Sequence, residues 1–368
     1  MNDISCNITI VFFESIFAKY LTLKQELPAR YCIFNTGRQH FMNIEMVNPF
    51  NGHQLFPTGS GLMDKGLVIF PNENGAYRIV KDDNYSENFG YQWNKFAATQ
   101  LDKTSKLDIS KKRFFAETGW DKEELSGKNI LELGSGAGRF TQIMLDFTKG
   151  DLYSVDYSNA VEANFKNNGP HERLHLFQAS IYELPFAKEQ FDKVVCLGVL
   201  QHTPDAEKSI ASLIEMARPG GEVIVDFYPL TGWWTKLNAK YLLRPFSKKM
   251  SHEKLFKKID RNIDWLIKTY RFFSKIGLGK LVNRFLPICD IDGTLPKGLP
   301  YDQLRELCVL DTFDMYSPLY DQPQKIKDVV KWFEKYGLQE VWGGFISYDN
   351  CRAAVVKGIK PSTMNHQP

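Results

Sequence analysis

Paired cysteines are missing from this chain. Its six cysteines (Cys6, Cys32, Cys196, Cys289, Cys308 and Cys351) form no Cys-x-x-Cys, so the spacing indicates neither a disulfide framework nor a zinc site. Reduced thiols in a cytoplasmic protein are the expectation. Long apolar runs are missing too: NITIVFFESIFAKYL is cut by Glu14 and Lys19, which argues against a membrane span. The start of the chain carries Asp3 and no basic cluster, so a secretory leader is not expected. Nothing repeats internally, and no sign of charge dominates, the net charge being +3 over 368 residues. That length allows one large domain or two ordinary ones, each with a core of its own.

What is present is organised around NILELGSGAGRFT, Asn129 to Thr141, in which an apolar run with one carboxylate, Glu132, leads into Gly134, Gly136 and Gly138. The pattern predicts a strand, a tight loop and a helix start. Without a Cβ the loop can turn with positive φ and lie directly against a ligand, which the free N–H groups of the helix start then face. A dinucleotide fingerprint would place its third glycine where Arg139 stands, and a P-loop would end in Gly-Lys-Ser/Thr, which is absent. About twenty residues beyond the loop, Asp156 ends the run DLYSVD, where a carboxylate can accept hydrogen bonds from both hydroxyls of a ribose. Asp156 could equally cap a helix, a task that Ser158 could share.

The stretch resembles the first motif of class I S-adenosylmethionine (SAM) dependent methyltransferases, of the bacterial type 11 kind. The resemblance spans about Asn84 to Lys357 and implies SAM as cofactor, with Glu132, Gly134, Ser135, Gly136 and Asp156 around it. It further implies that Tyr157 flanks the adenine, that Ser180 and Ile181 line its edge, where the family usually has Asp in place of Ser180, and that Leu197 opens the loop beside the sulfonium methyl group. A basic residue of the leading helices, for which Arg113 is the candidate, would meet the SAM carboxylate. In the loop Leu197 to Asp205, His202 has an unperturbed pKa near neutrality and could take a proton from an attacking hydroxyl; a backbone-bonded histidine at a helix start is the alternative. The signatures for methylating nucleobase amines or pyrimidine carbon are absent from this loop.

Alternating strand and helix patterns, FDKVVCLG and GEVIVDFY among them, predict a doubly wound, mostly parallel sheet; the resemblance implies that it is Rossmann-like and seven-stranded, with QEVWGGFIS and RAAVVKGI similar to the antiparallel hairpin that closes it. The expected organisation is a small mostly-β module over residues 1–83, a SAM-binding core with leading helices over 84–230, a basic helical insertion over 231–319 acting as an acceptor lid, and the end of the core over 320–368. GLVIFPNENGAYRIV resembles the close of a zinc-ribbon-like leader without its cysteine pairs, so packing rather than metal binding is expected of it. From Thr231 to Asp290 fourteen Lys and Arg face four acidic residues, and Leu255, Ile259, Ile263, Leu266, Tyr270 and Phe273 recur at helical spacing. LDTFDMYSPLYDQPQ is expected to be an aromatic, acidic loop, and PQKIKDVVKWFEKYGL an amphipathic helix closed by Gly337.

The functional expectation is methyl transfer to a small-molecule or glycan-type acceptor, one carried on a lipid included, most simply O-methylation. Quinone-like C-methylation, RNA methylation, a non-catalytic SAM-binding regulator and a misread dehydrogenase stay open. Nucleic acid is the weaker partner, and the basic insertion leaves open a contact with an anionic membrane surface.

Overall fold

Apolar runs bounded by glycine and aspartate become strands buried on both faces, as a sheet covered by helices on either side requires. The computed structural model describes residues 31–362, apart from 36–37, 81–84, 122, 124, 233–235 and 350. The first thirty residues of the expected β module, together with Asn84 and Asn350, lie outside the described residues.

The centre of the sheet is β8 (Asn129–Leu133), flanked in parallel by β9 (Asp151–Asp156) and β11 (Phe191–Cys196), with Leu133 opposite Val155 and Glu132 opposite Val195. Beyond β9 comes β10 (Leu174–Ala179), and beyond β11 comes β12 (Ala217–Phe227), both parallel to their neighbours. The hairpin β13 (Gln339–Tyr348) and β14 (Cys351–Ile359) closes the β12 side in antiparallel fashion. Chain order reverses about β8, so a ligand crevice is expected at the carboxyl ends of β8, β9 and β11. The glycine loop, Asp156 and Leu197 all stand there.

The N-terminal strands are β1 (Tyr31–Asn35), β2 (Arg38–Met42), β3 (Met46–Val47), β4 (Gln54–Thr58), β5 (Gly61–Asp64), β6 (Leu67–Glu73) and β7 (Ala76–Ile79). Asn74 (φ 51°) and Gly75 (φ 78°) join β6 to β7 in the left-handed pair of a tight hairpin turn. β7 then pairs in parallel with β10, Tyr77 stacking on Phe177 with ring centroids 5.3 Å apart. The core sheet is therefore longer than the seven strands expected, running on through β7 to β3 as twelve strands.

Three helices precede the core, α1 (Glu87–Lys95), α2 (Asp102–Ser105) and α3 (Ile109–Thr118). The sheet is covered by α4 (Arg139–Phe147), α5 (Ala160–Asn168), α6 (Ala206–Met216) and a later helix described below. The insertion folds as α7 (Ala239–Ser247), α8 (His252–Lys275), α9 (Gly279–Asn283), α10 (Ile291–Thr294) and α11 (Tyr301–Tyr316). Leu255, Ile259, Ile263, Leu266 and Tyr270 of α8 are buried as their spacing predicts, in a second core shared with α11 and Phe96. After it, α12 (Ile326–Lys335) ends before Gly337 (φ 83°).

One expectation is corrected here: LDTFDMY is the last two turns of α11 and not a loop. This helix buries Leu304, Cys308, Leu310, Thr312 and Phe313 around its circumference, so it lacks the single apolar stripe by which a surface helix is read. Among the described residues no helix is long and apolar enough to cross a membrane, and no group of three or more His, Cys, Asp or Glu could hold a metal ion.

Candidate functional site

The loop after β8 is fixed from behind by backbone and from beside by one carboxylate. Gly134, Gly136 and Gly138 have φ of 77°, 53° and 85°, a conformation that L side chains rarely adopt. Gly134 N donates to Val155 O at 2.8 Å, and Gly136 N donates to Asp156 Oδ2 at 2.8 Å. The other oxygen of Asp156 accepts from Ser158 N at 2.8 Å and Ser158 Oγ at 2.6 Å. Burial raises the Asp156 pKa while these donors oppose the rise. Asp156 thus braces the glycine loop and Ser158 and does not itself cap the next helix, whose first amide, Ala160 N, donates to Ser158 Oγ at 3.1 Å; Asp156 also lines the cavity described next.

A cavity of about 760 Å³ opens over the loop, lined on this side by Gly134, Ser135, Gly136, Asp156, Tyr157, Ile181 and Leu197. The hydroxyl of Ser135 is buried there and has no hydrogen-bond partner among the described residues. Two expected cofactor residues stand behind the wall instead of in it. Glu132 accepts from Thr141 Oγ1 (2.6 Å) and Ser154 Oγ (2.7 Å), tying α4 to β9, and burial pushes it up to about 7. Ser180 turns its hydroxyl to Tyr182 N at 3.2 Å and does not line the cavity. For Glu132 the cause is strand alternation, which points its side chain away from the crevice; Ser180 follows the end of β10 and spends its hydroxyl on the turn to Tyr182.

Arg113 does reach the cavity, but its guanidinium is held by two carboxylates, Nε on Glu117 Oε1 at 2.8 Å and Nη2 on Asp226. Asp226 also accepts from Gly198 N, so Arg113 braces the loop after β11. Burial pushes Glu117 up to about 8 despite the cation. Arg139, also on the cavity, is bonded only to neutral partners, Ser110 Oγ at 2.8 Å and Gln100 Oε1 at 3.3 Å. The leading helix α1 lays Trp93 across the loop, where a Cβ on Gly136 would lie 3.1 Å from Trp93 Nε1.

The opposite wall comes from the segment after β11 and from the insertion. His202 ends a short 3-10 turn, Leu200–His202, and its Nδ1 lies 3.1 Å from the carbonyl of Tyr320. A proton on Nδ1 satisfies that carbonyl and leaves Nε2 bare, and burial lowers the imidazole pKa, favouring the neutral ring. Tyr228 OH donates to Asp314 Oδ2 at 3.0 Å, and Gln92 Nε2 reaches Asp314 Oδ1 at 3.4 Å. Of the six carboxylates on the cavity, Asp102, Asp156, Asp226, Asp290 and Asp314 accept hydrogen bonds from the protein. Asp311 accepts none among the described residues. Burial and the neighbouring Asp314 push Asp311 up to about 7, with Arg139 and Arg113 working against the rise. Sequence reasoning missed Asp311 and Asp314 because it read their segment as a loop, and Tyr228 because it stands at the end of a run read only as a strand of the sheet.

The residues fit the cofactor that the resemblance implies. The loop offers backbone at positive φ and a hydroxyl at Ser135 without a partner among the described residues, and the carboxylate of Asp156 and the apolar side chains of Ile181 and Leu197 line the same cavity beside Tyr157. A volume of about 760 Å³ lies in the range of about 300–1,000 Å³ usual for pockets that enclose a ligand of drug size.

Comparison with known proteins agrees with this reading of the core. Residues 131–225 match the family model described as a methyltransferase domain. A tRNA U34 carboxymethyltransferase of Campylobacter curvus is 31% identical over 104 residues, which are 28% of this chain and 35% of that protein. The ubiquinone/menaquinone biosynthesis C-methyltransferase UbiE of Vibrio parahaemolyticus is 30% identical over 107 residues, 27% of this chain and 40% of that protein. The chain thus spans 35–40% of the length of these curated relatives. Among solved structures, the complex between the Haloferax volcanii Trm112 methyltransferase activator and a methyltransferase aligns with a TM-score of 0.45 at 11% identity, covering 76% of this chain and 100% of that one. Magnesium protoporphyrin IX methyltransferase of Synechocystis aligns with a TM-score of 0.38 at 16% identity, covering 75% and 96%.

Proposed function

We propose that this chain, whose residues 131–225 are a class I SAM-dependent methyltransferase domain, transfers a methyl group to a small acceptor that donates a hydrogen bond, most simply to its hydroxyl oxygen. The observation that carries the reading is the two-sided cavity. One wall is the glycine loop with the hydroxyl of Ser135 and the other is Asp311, both without a hydrogen-bond partner among the described residues.

Bound SAM supplies an electrophilic methyl group on a sulfonium, ready for in-line attack, so positioning is the chain's main task. Asp156 would hold the ribose and Ser135 Oγ the methionine end, while Tyr157 and Ile181 flank the adenine and Leu197 lies beside the methyl group. His202 keeps its Nδ1 proton on the Tyr320 carbonyl and presents a bare Nε2, which takes the hydroxyl proton as the oxygen gains the methyl group. Asp311 accepts a hydrogen bond from a second donor on the acceptor and so orients it. The lysines of α8 do not face this cavity; α11 presents Asp311 and Asp314 to it. That favours a hydroxylated or cationic acceptor over the anionic one that the insertion's net charge alone suggests.

The test is calorimetric titration with SAM, followed by incubation with methyl-labelled SAM and hydroxylated acceptors of graded size. Binding and label transfer to oxygen are expected. Binding with no transfer to any acceptor would point to a SAM-responsive regulator. Label found in RNA or on carbon would replace the acceptor class, and binding of NAD in preference to SAM would overturn the reading.

A further inference from the structure

Helix α7 is turned inside out. Its buried side carries Lys240 and Arg244. Lys240 Nζ sits on Asp321 at 3.0 Å, and Arg244 donates to the carbonyls of Met315 at 3.0 Å and Pro318 at 2.8 Å. Its outward side carries Leu242, Leu243 and Phe246, exposed by 56%, 42% and 71%. A helix that meets only water and its own protein places such residues the other way round.

The outward apolar face does not stop at α7. Ala239 N donates to Arg284 O at 2.8 Å, and Arg284 Nε donates to Leu237 O at 2.7 Å, so the start of α7 abuts the end of α9. There Leu281 and Phe285 are exposed by 59% and 57%, and Ile276 at the α8–α9 corner by 56%. Ten of the twenty large apolar side chains exposed among the described residues fall between Leu237 and Phe285. Scattered exposed leucines need no explanation, but a concentration of this kind marks an interaction surface.

Charge selects the partner. No acidic residue occurs from Lys236 to His252 or from Trp265 to Cys289, while Lys236, Lys248, Lys249, Lys275 and Lys280 are exposed. Apolar side chains ringed by lysine, with no acid among them, complement a bilayer that contains anionic lipid: the apolar groups enter the acyl boundary and the ammonium groups stay with the head groups. The same elements line the cavity through Asn238, Lys280, Asn283 and Arg284, of which Lys280 is exposed.

We propose that the outward faces of α7 and α9 seat this chain on an anionic lipid bilayer, with the mouth of the cavity against the lipid. Given the methyl-transfer reading above, the acceptor then reaches the site from the membrane, as a molecule with an apolar anchor and a hydroxylated or cationic head.

The full-length chain is to be sedimented with vesicles of phosphatidylcholine alone and of phosphatidylcholine mixed with phosphatidylglycerol, with SAM titration as a separate control of folding. Binding to the mixed vesicles is expected. Leu242→Asp with Phe246→Asp, both already exposed, should weaken it about tenfold or more, in line with the loss of inserted apolar surface. Lys248→Gln with Lys249→Gln should weaken it about thirtyfold at low salt. SAM affinity stays at the wild-type value in both pairs. Equal vesicle binding by wild type and variants, or none by any of them, overturns the proposal. So does a solution dimer that Phe246→Asp dissociates, which would assign the face to a second copy. A wild type that binds vesicles but not SAM refutes the methyltransferase reading and leaves the membrane surface standing.

Discussion

Replacing Gly134 with alanine tests how tightly the loop is built. At φ 77° the new Cβ enters the left-handed region, at a cost of about 1–2 kcal/mol. It would also lie 2.1 Å from Val199 Cγ2 and 2.8 Å from Val199 Cγ1, so one of the two segments has to move. Val199 is β-branched and cannot swing its methyls clear by a change of rotamer. Overpacking of this kind costs about 1–3 kcal/mol, for a total of about 2–5 kcal/mol, a large part of the stability of an ordinary domain. Urea unfolding followed by tryptophan fluorescence reads the loss, and Val199→Ala in the same background removes the two methyl contacts while leaving the 2.9 Å approach of Val199 Cβ and the backbone strain. A double-mutant cycle should therefore return a favourable coupling of about 1–3 kcal/mol, with SAM affinity partly recovered. A coupling under about 0.5 kcal/mol would mean that Val199 does not hold the loop, and the account of how β8 and β11 share the crevice would fall.

Asp156→Ala removes three acceptor contacts within the protein as well as the ribose contact, so calorimetry should show SAM binding lost and thermal melting a lower midpoint; unchanged SAM affinity would leave Asp156 a purely structural brace of the loop. His202→Ala should slow transfer by about 10²–10⁴-fold with SAM affinity intact, and a full rate in that variant would reduce His202 to its bond with Tyr320. Burial lowers the His202 pKa, so the unfolded chain binds the proton more readily. Stability contributed by the neutral ring is present above about pH 6.5 and lost as pH falls below it, a loss that His202→Gln should blunt in pH-dependent melts. Asp311 has the opposite sign. Its folded pKa of about 7 lies above the ordinary carboxylate value, so its ionisation erodes stability as pH rises from about 4 to 7. Asp311→Asn should therefore gain more stability over wild type at pH 8 than at pH 5, while losing transfer rate and any acid limb near pH 7; a variant that keeps the wild-type rate profile would remove Asp311 from acceptor binding.

How much of this was legible depended on whether a residue's role left a local trace. Gly134, Gly136 and Asp156 could be read because a turn with positive φ and an acid at a strand end are properties of a few consecutive residues. The stripe on α8 was legible because one face of that helix is buried. Asp311 was not, since α11 is enclosed on several sides and its carboxylate differs from that of Asp314 only in what surrounds it. Glu132 misled for the reverse reason: it stands in the motif, yet strand alternation turns it toward Thr141 and Ser154. The reversal of α7 was equally hidden, because a helix carrying leucines on one side and cations on the other does not say which side faces in. Only Asp321 and the carbonyls of Met315 and Pro318 decide it.

The parallel pairing of β7 with β10 bears on how this chain could be shortened. From Ala76 to Ile79 it occupies the outer hydrogen-bonding side of β10, from Leu176 to Ala179. A chain begun at Tyr85 keeps every cavity residue named above, so it retains the means to bind SAM. It also presents a bare row of N–H and C=O groups along a flat strand carrying Leu176 and Phe177, the template on which strands of neighbouring molecules add and aggregate. The N-terminal strands are in that sense a guard on solubility, and a truncation series should lose its soluble yield between Ala76 and Tyr85 while the protein that stays soluble binds SAM undiminished.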